Sequence, residues 1–339
     1  MIEDVMESAK SSTIHDVAKL AGVSLSTVSR VLNDSASVSP QTRERVEAAI
    51  TELQYEKSRA EGLKPLQETN MVGLIVPDIL NPFFPLLING IEDVSKIHDY
   101  SLILCDAEND EALEGKQINT LCERGVDGII LIPASGATHV EKLVKKGFPF
   151  VFLDRVVAWD GASDVTSDNA EGAYQAVKYL LKLGHQRIVL VTGPPDLSTE
   201  QARYAGIQRA LAEEGIAVQE ELHVCGNYKL EDAYRAVTGL LDQKIDFTAI
   251  LATNDLMAFG AKKALEEHGL KIPDDISLVG YDDILFSAII SLTSVAQPTY
   301  EMGRNAMMLL LDLIHGRITT PQHIVLRPSM IIRGSCKRR

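Results

Sequence analysis

The sequence predicts two unlike parts, a small all-α headpiece over residues 11–55 and an α/β body over residues 71–335 built on two parallel sheets, joined by a linker over 56–70. Three observations predict this. Two short helical patterns meet at Gly22 near the start of the chain. From Met71 onward short apolar runs alternate with amphipathic helical stretches, the pattern of a parallel sheet covered on both faces. The alternation starts afresh at Arg187, so a second sheet follows the first.

In the headpiece, Thr13 stands before Ile14 as a helix cap, with Asp16 placed to face the positive helix end. Val17, Ala18 and Ala21 make a narrow apolar stripe, and Gly22 ends the helix where a left-handed residue is wanted. Ser24 caps the second helix, whose inward residues are Val28, Val31 and Leu32. Leu25, Ser26, Ser29, Arg30 and Asn33 then share the outward face, with Thr27 near its edge. Such a face suits a DNA major groove, because an arginine can reach O6 and N7 of a guanine while hydroxyl and amide groups hold phosphates or base edges. Spacing alone favours an ordinary helical hairpin, since the motif is weak when read only as spacing. A third helix adds weight to the groove reading: Ser39-Pro40 supplies a cap and a first-turn proline, and Val46, Ala49, Ile50 and Leu53 close a three-helix core that ends near Tyr55.

Through TIHDVAKLAGVSLSTVSRVLN, VSPQTRERVEAAI and Tyr55, this stretch resembles the lactose repressor family of bacterial transcription regulators. The resemblance implies double-stranded operator DNA as a partner, contacted by Thr13, Ser24, Leu25, Ser26, Thr27, Ser29, Arg30 and Asn33. It also implies a hinge helix in the linker. Family members usually carry Ala-Arg-x-Leu there, and the leucine wedges into the minor groove beside that of a dimer mate. Here the run is Ala60-Glu61-Gly62-Leu63-Lys64, with Leu63 and Lys64 as the expected contacts. Glu61 replaces the arginine and is repelled by phosphates, Gly62 costs about 1 kcal/mol of helix propensity, and Pro65 limits extension. A weakened hinge is expected; the alternative is a helix that starts one residue earlier, from Ser58.

The totals bound the rest. A chain of 339 residues holds a headpiece and two domains of ordinary size. Cys105, Cys122, Cys225 and Cys336 are scattered, which suggests reduced thiols and neither a disulfide framework nor a zinc site. The N-terminus is acidic where a signal peptide would be basic, and no apolar run spans a bilayer, so the cytoplasm is the expected location and no membrane partner is expected. The net charge of -14, with acidic residues outnumbering basic ones even in the first 65, argues against non-specific adhesion to nucleic acid.

In the body, the apolar runs are MVGLIVP, SLILC, GIILI and FPFVFLD in the first set, then RIVLVTG, ELHVCG, FTAILAT and ISLVGY in the second. Ligands of such sheets sit beyond the carboxyl ends of the strands. There the sequence places Asp78 with Asn81-Pro82-Phe83-Phe84, Asp106, Asp154-Arg155, Gly193-Pro194-Pro195, Asn227-Tyr228, Asn254-Asp255 and Tyr281-Asp282-Asp283. Each acid or amide taken singly reads as a helix cap, but together these polar and aromatic groups suit a hydrophilic small molecule with a stackable face.

The body too resembles the lactose repressor family, and through it the periplasmic sugar-binding proteins, in VGLIVPDILNPFF, LGHQRIVLVTGPPDLSTEQARYAGIQRAL and TAILATNDLMAFGAKKALEEHG. This periplasmic-binding-protein-like resemblance implies one subdomain of about 71–164 with 294–323, and another of about 165–293 with 324–335. The chain would cross between them near 164–167, 293–297 and 322–326. The implied effector contacts are Phe83, Phe84, Asp154, Thr199, Arg203, Tyr228, Asn254 and Asp282, of which Thr199 and Arg203 rest on the resemblance alone. A carbohydrate effector and a homodimer are implied as well, and the absence of a terminal heptad run argues against a tetramer.

No cofactor or metal is expected, and enzyme chemistry is the poorer reading. Asp282-Asp283 has no partner cluster, His185 beside Gly184 reads as a surface or helix-end residue, and no nucleophile-elbow, P-loop or dinucleotide motif occurs. The body alone would also fit a solute-binding protein without a DNA-binding role; the headpiece favours the regulator.

Overall fold

The computed structural model describes residues 14–32, 38–53, 69–134, 138–157, 159 and 161–339. The chain falls into two units, 1–64 and 65–339. In the first, helices α1 (Ile14–Ala21), α2 (Leu25–Leu32) and α3 (Pro40–Glu52) enclose Val17, Ala18, Ala21, Val28, Val31, Val46 and Ala49. Ser39 caps α3 by accepting from the Thr42 amide. Gly22 takes φ +64, and Arg45 reaches back from α3 to the Ala21 carbonyl at 2.5 Å, which fastens the turn between α1 and α2 to the third helix.

The second unit opens with β1 (Met71–Val76), α4 (Phe83–Ile97), β2 (Ser101–Asp106), α5 (Glu111–Glu123), β3 (Gly128–Leu131), α6 (Glu141–Lys146), β4 (Phe150–Leu153) and β5 (Ser163–Ser167). It continues with α7 (Asn169–Lys182), β6 (Ile188–Thr192), α8 (Ser198–Glu213), β7 (His223–Cys225), α9 (Leu230–Asp242), β8 (Ala249–Ala252), α10 (Asp255–Glu267) and β9 (Ser277–Asp282). The last elements are α11 (Leu285–Ile289), β10 (Thr293–Ala296), α12 (Thr299–Ile314), β11 (His323–Leu326) and β12 (Ser329–Ile331). One six-stranded sheet runs β11-β5-β4-β3-β1-β2 and the other β12-β10-β9-β8-β6-β7. Both are parallel except that β12 joins β10 antiparallel.

Helices cover both faces of each sheet. Where α4 meets α12, Gly90 and Gly303 let the backbones touch: a Cβ on either would stand 2.1 Å from the Tyr300 or the Leu87 carbonyl oxygen. Close approach of this kind needs a residue without a side chain.

The structure moves the crossings. The segments expected to carry the chain between the sheets, 164–167, 293–297 and 322–326, lie largely within strands β5, β10 and β11, and the chain leaves each sheet just after them. Thus Ile324–Leu326 pair with Val165–Ser167 in the first sheet, while Ser294–Ala296 pair with Gly280–Asp282 in the second. The reason is chemical. Ser163-Asp164-Val165-Thr166-Ser167 is polar yet buried, with Ser163 Oγ accepting from the Gln322 amide at 3.1 Å and Asp164 facing His323, while the Ser167 hydroxyl has no protein partner. A search for apolar runs cannot see such strands.

His185 is buried, not on the surface, at the end of α7. One ring nitrogen lies 2.9 Å from Thr248 Oγ1 and the other 3.1 Å from the Lys337 carbonyl, so the imidazole ties the C-terminal segment to the second sheet. The four cysteines are free. Among the described residues no helix is long and apolar enough to cross a membrane, and no group of three or more His, Cys, Asp or Glu could hold a metal.

Candidate functional site

The first site is the face of α2. Ser24 Oγ accepts from the Thr27 amide at 3.2 Å and lies 2.8 Å from Thr27 Oγ1, which caps the helix and leaves Thr27 half-buried. Burial of Val28 and Val31 turns the opposite side outward, where Leu25 and Arg30 are exposed. Ser26 and Ser29 fall within the helix. Thr13, Asn33, Leu63 and Lys64 lie outside the described residues, as do Tyr55 and Glu61.

The second site is built at the carboxyl ends of both sheets. β1 delivers Asn81, Phe83 and Phe84 at the start of α4, β4 delivers Asp154 and Arg155, and the first turns of α8, after β6, deliver Thr199 and Arg203. Tyr228 follows β7, Asn254 follows β8, Asp282 ends β9 and Gln297 follows β10. These residues line one inner chamber of about 20 Å³. An outer chamber of about 300 Å³ shares Asn81, Phe84, Arg155 and Tyr228 with it, and adds Asp78, Glu108, Asn109, Asp196, Asn227 and Lys229 among others.

Several strand ends bend sharply to aim these groups. Asp154, Asn227, Tyr228 and Asp282 have φ of 64, 52, 58 and 101, in the region where side chains are strained. Such strain persists only where surrounding contacts hold it, and it gathers at functional sites. Gly193 makes room for the Tyr228 ring, since a Cβ there would stand 2.3 Å from it. Asn254 is both cap and lining residue: its Oδ1 accepts from the Met257 amide at 2.8 Å while its Nδ2 donates to the Tyr228 carbonyl at 3.3 Å.

Arg203, 4% exposed, is the hub. Its Nε donates to Asn169 Oδ1 at 2.8 Å, a second nitrogen donates to the Thr253 carbonyl, and Nη2 stands 3.5 Å from Asp282 Oδ1. The guanidinium also lies 4.0 Å from the centre of the Tyr281 ring. Burial pushes the Asp282 carboxyl up to about 8, against the pull of Arg203. Burial likewise pushes Asp154 upward, against Arg155 and Arg203. Asp154 Oδ1, Arg155 Nε and Gln297 Oε1 are buried without a protein partner. A molecule rich in hydroxyls can donate to the two oxygens and accept from the nitrogen, relieving groups that are costly to leave unpaired.

All eight residues expected around an effector therefore line the inner chamber, including Thr199 and Arg203, whose inward direction the residues alone did not reveal. Asn81 and Arg155 appeared among the strand ends but not among the expected contacts. Gln297 was missed; the signal available was a glutamine before Pro298, directly after the buried segment 293–296. Two other strand-end acids, Asp255 and Asp106, are structural. Asp255 accepts from Ser287 Oγ, Ser294 Oγ and the Ile284 amide at 2.6, 2.7 and 2.9 Å, and Asp106 accepts from the Glu108 amide.

Comparison with known proteins places each of the two units in a family. Residues 69–329 match the family of periplasmic binding proteins and sugar binding domain of LacI family, and residues 13–58 match bacterial regulatory proteins, lacI family. The HTH-type transcriptional repressor PurR of Pectobacterium carotovorum subsp. carotovorum is 34% identical, with 96% of each chain covered. The ribose operon repressor of Escherichia coli K12 is 34% identical over 96% of this chain and 99% of its own. Among solved structures, a complex of the transcriptional regulator CelR with cellobiose aligns with a TM-score of 0.73 at 33% identity, covering 96% of this chain and 99% of that one. A LacI family regulator from Enterococcus faecium with bound ribose aligns with a TM-score of 0.72 at 34% identity over 79% of this chain and 99% of its own.

Proposed function

Because the chain belongs to the LacI family of bacterial regulatory proteins, we propose that it is a cytoplasmic transcriptional repressor whose grip on DNA is set by a small hydrophilic effector. It binds a palindromic operator as a homodimer, each headpiece reading a half-site with Leu25, Arg30 and their neighbours on α2. The effector is a sugar or sugar derivative whose body fills the outer chamber of about 300 Å³. Its hydroxyls reach the residues of the inner one through the shared Asn81, Phe84, Arg155 and Tyr228. Asp282 and Arg203 fix it through hydrogen bonds, Asp154 and Gln297 accept from its hydroxyls, and Phe84 or Tyr228 covers its flat face.

The observation that carries this reading is the convergence of buried, unpartnered Asp154, Arg155 and Gln297 atoms on one chamber between two sheets. No protein group pairs with those atoms, and a hydroxylated ligand can. The ribose and cellobiose in the two similar structures support a carbohydrate.

The test has two stages. A thermal-shift screen against free sugars, sugar phosphates and nucleobases selects a compound that raises the melting temperature. Operator duplex, selected from a randomised palindromic pool, is then titrated with protein in its presence and absence. Wild type responds, whereas Asp282→Ala binds the duplex and no longer responds; a normal response from Asp282→Ala refutes the chamber as the effector site. Light scattering should report a dimer, and a tetramer counts against the assembly proposed.

A further inference from the structure

Asp282 is followed by a second residue in the left-handed region, Asp283 at φ 54, so two consecutive aspartates carry strained backbone where β9 ends. Neither is a glycine, and the conformation must be imposed from outside. Ser294 Oγ accepts from the Asp283 amide at 3.2 Å, and the far end of the chain supplies a further clamp. Arg333 Nη1 donates to Asp283 Oδ1 at 2.5 Å and Nη2 to Asp283 Oδ2 at 3.1 Å, a two-pronged pair in which both side chains are about one-fifth exposed. The same Nη1 donates to the Leu292 carbonyl at 2.7 Å, and the Arg333 amide donates to Thr293 Oγ1 at 3.0 Å. One arginine just beyond β12 thus joins the turn after β9 to the segment that leads into β10. Asp283 itself does not line the chamber.

We infer that Arg333 is a positioning residue for the ligand chamber: by clamping Asp283 it holds the left-handed turn that aims the Asp282 carboxyl at Arg203 and Gln297. This rests on the reading of Asp282 as an effector contact. A planar fork bonded to both carboxylate oxygens fixes direction as well as distance, which a lysine ammonium does not.

The first arm of the test needs no ligand. A crystal structure of full-length Arg333→Gln should show Asp283 out of the left-handed region and the Gln297 to Asp282 hydrogen bond lost or lengthened; an unchanged turn overturns the inference. The second arm titrates D-ribose by calorimetry into wild type, Arg333→Gln, Arg333→Lys and Asp282→Asn. Arg333→Gln should weaken binding by about tenfold or more, as loss of a group that orients a ligand-binding residue does, and Arg333→Lys should lie between it and wild type. Asp283→Gly on the Arg333→Gln background should recover part of the affinity, because glycine takes positive φ without strain. Melting temperatures of the variants without sugar separate this from a general loss of fold stability: equal melting temperatures with unequal affinities support positioning, and affinities that only track melting temperature overturn it. If Asp282→Asn abolishes binding while Arg333→Gln matches wild type, the positioning role fails and the effector site stands. If Asp282→Asn binds as wild type does, or ribose and every other sugar fail to bind wild type, the effector reading fails, and the crystal structure alone decides whether Arg333 holds the turn.

Discussion

Gln297 donates its side-chain amide to Asp282 Oδ1 at 2.7 Å, and Arg203 stands 3.5 Å from that same oxygen. Gln297 lies where the chain leaves the second sheet for α12, so the carboxyl bridges the α8 arginine and a crossing between the sheets. A ligand that takes either partner's place changes what holds the crossing.

That carboxyl governs a pH dependence. Its folded value of about 8 lies above the ordinary 3.8, so the folded form holds the proton more tightly than the unfolded chain does. Its stabilisation is full below about pH 4 and is lost as pH rises through about 8, with a slope of at most roughly 1.4 kcal/mol per pH unit. Asp282→Asn should therefore flatten the fall in melting temperature between pH 5 and 8.5. Asp154 leaves a residual slope of the same sign. Parallel profiles for variant and wild type would sink the assignment.

Arg203→Met should cost about 1–3 kcal/mol for each stranded acceptor in urea unfolding of the unliganded protein, because it strips Asn169 Oδ1 and the Thr253 carbonyl of a donor, while the Asp282 carboxyl stays protonated. A loss under 1 kcal/mol would mean that the hub is dispensable to the fold.

Gly22→Ala places a side chain at φ +64, with its Cβ 2.9 Å from Arg45 Nη2. A cost of about 1–2 kcal/mol is expected in headpiece stability, with operator affinity falling in step. Unchanged affinity in an operator titration would show that the turn adapts.

Arg30→Ala should lose roughly 1–3 kcal/mol of specific operator binding. Fluorescence anisotropy on specific and scrambled duplexes separates base reading from phosphate contact, and wild-type affinity on both would remove α2 from the groove.

Glu61→Arg should tighten operator binding at low salt if the acidic hinge is weak, as phosphate repulsion implies. Should affinity stay the same while Leu63→Ala destroys it, the leucine wedge works as in the family and the weakened-hinge proposal fails.

What the sequence by itself determined is what short-range chemistry encodes. A capping serine, a left-handed glycine and apolar residues three and four apart placed the turn at Gly22 and the outward face of α2. Apolar runs between helical stretches likewise predicted the strands from β1 to β4 and from β6 to β9, and with them the ends where ligand groups gather. Tertiary structure alone decided the rest. β5 and β10 are polar strands whose burial depends on partners far along the chain, among them Gln322, Asp255 and Arg333. The inward aim of Arg203 depends on Asn169 and Thr253, the joining of Gln297 to Asp282 on the path between the sheets, and the titration of Asp282 on the depth at which it is buried. Periodicity reports which face of an element is buried; which residues meet there, and in how dry a place, follows only once distant segments are packed together.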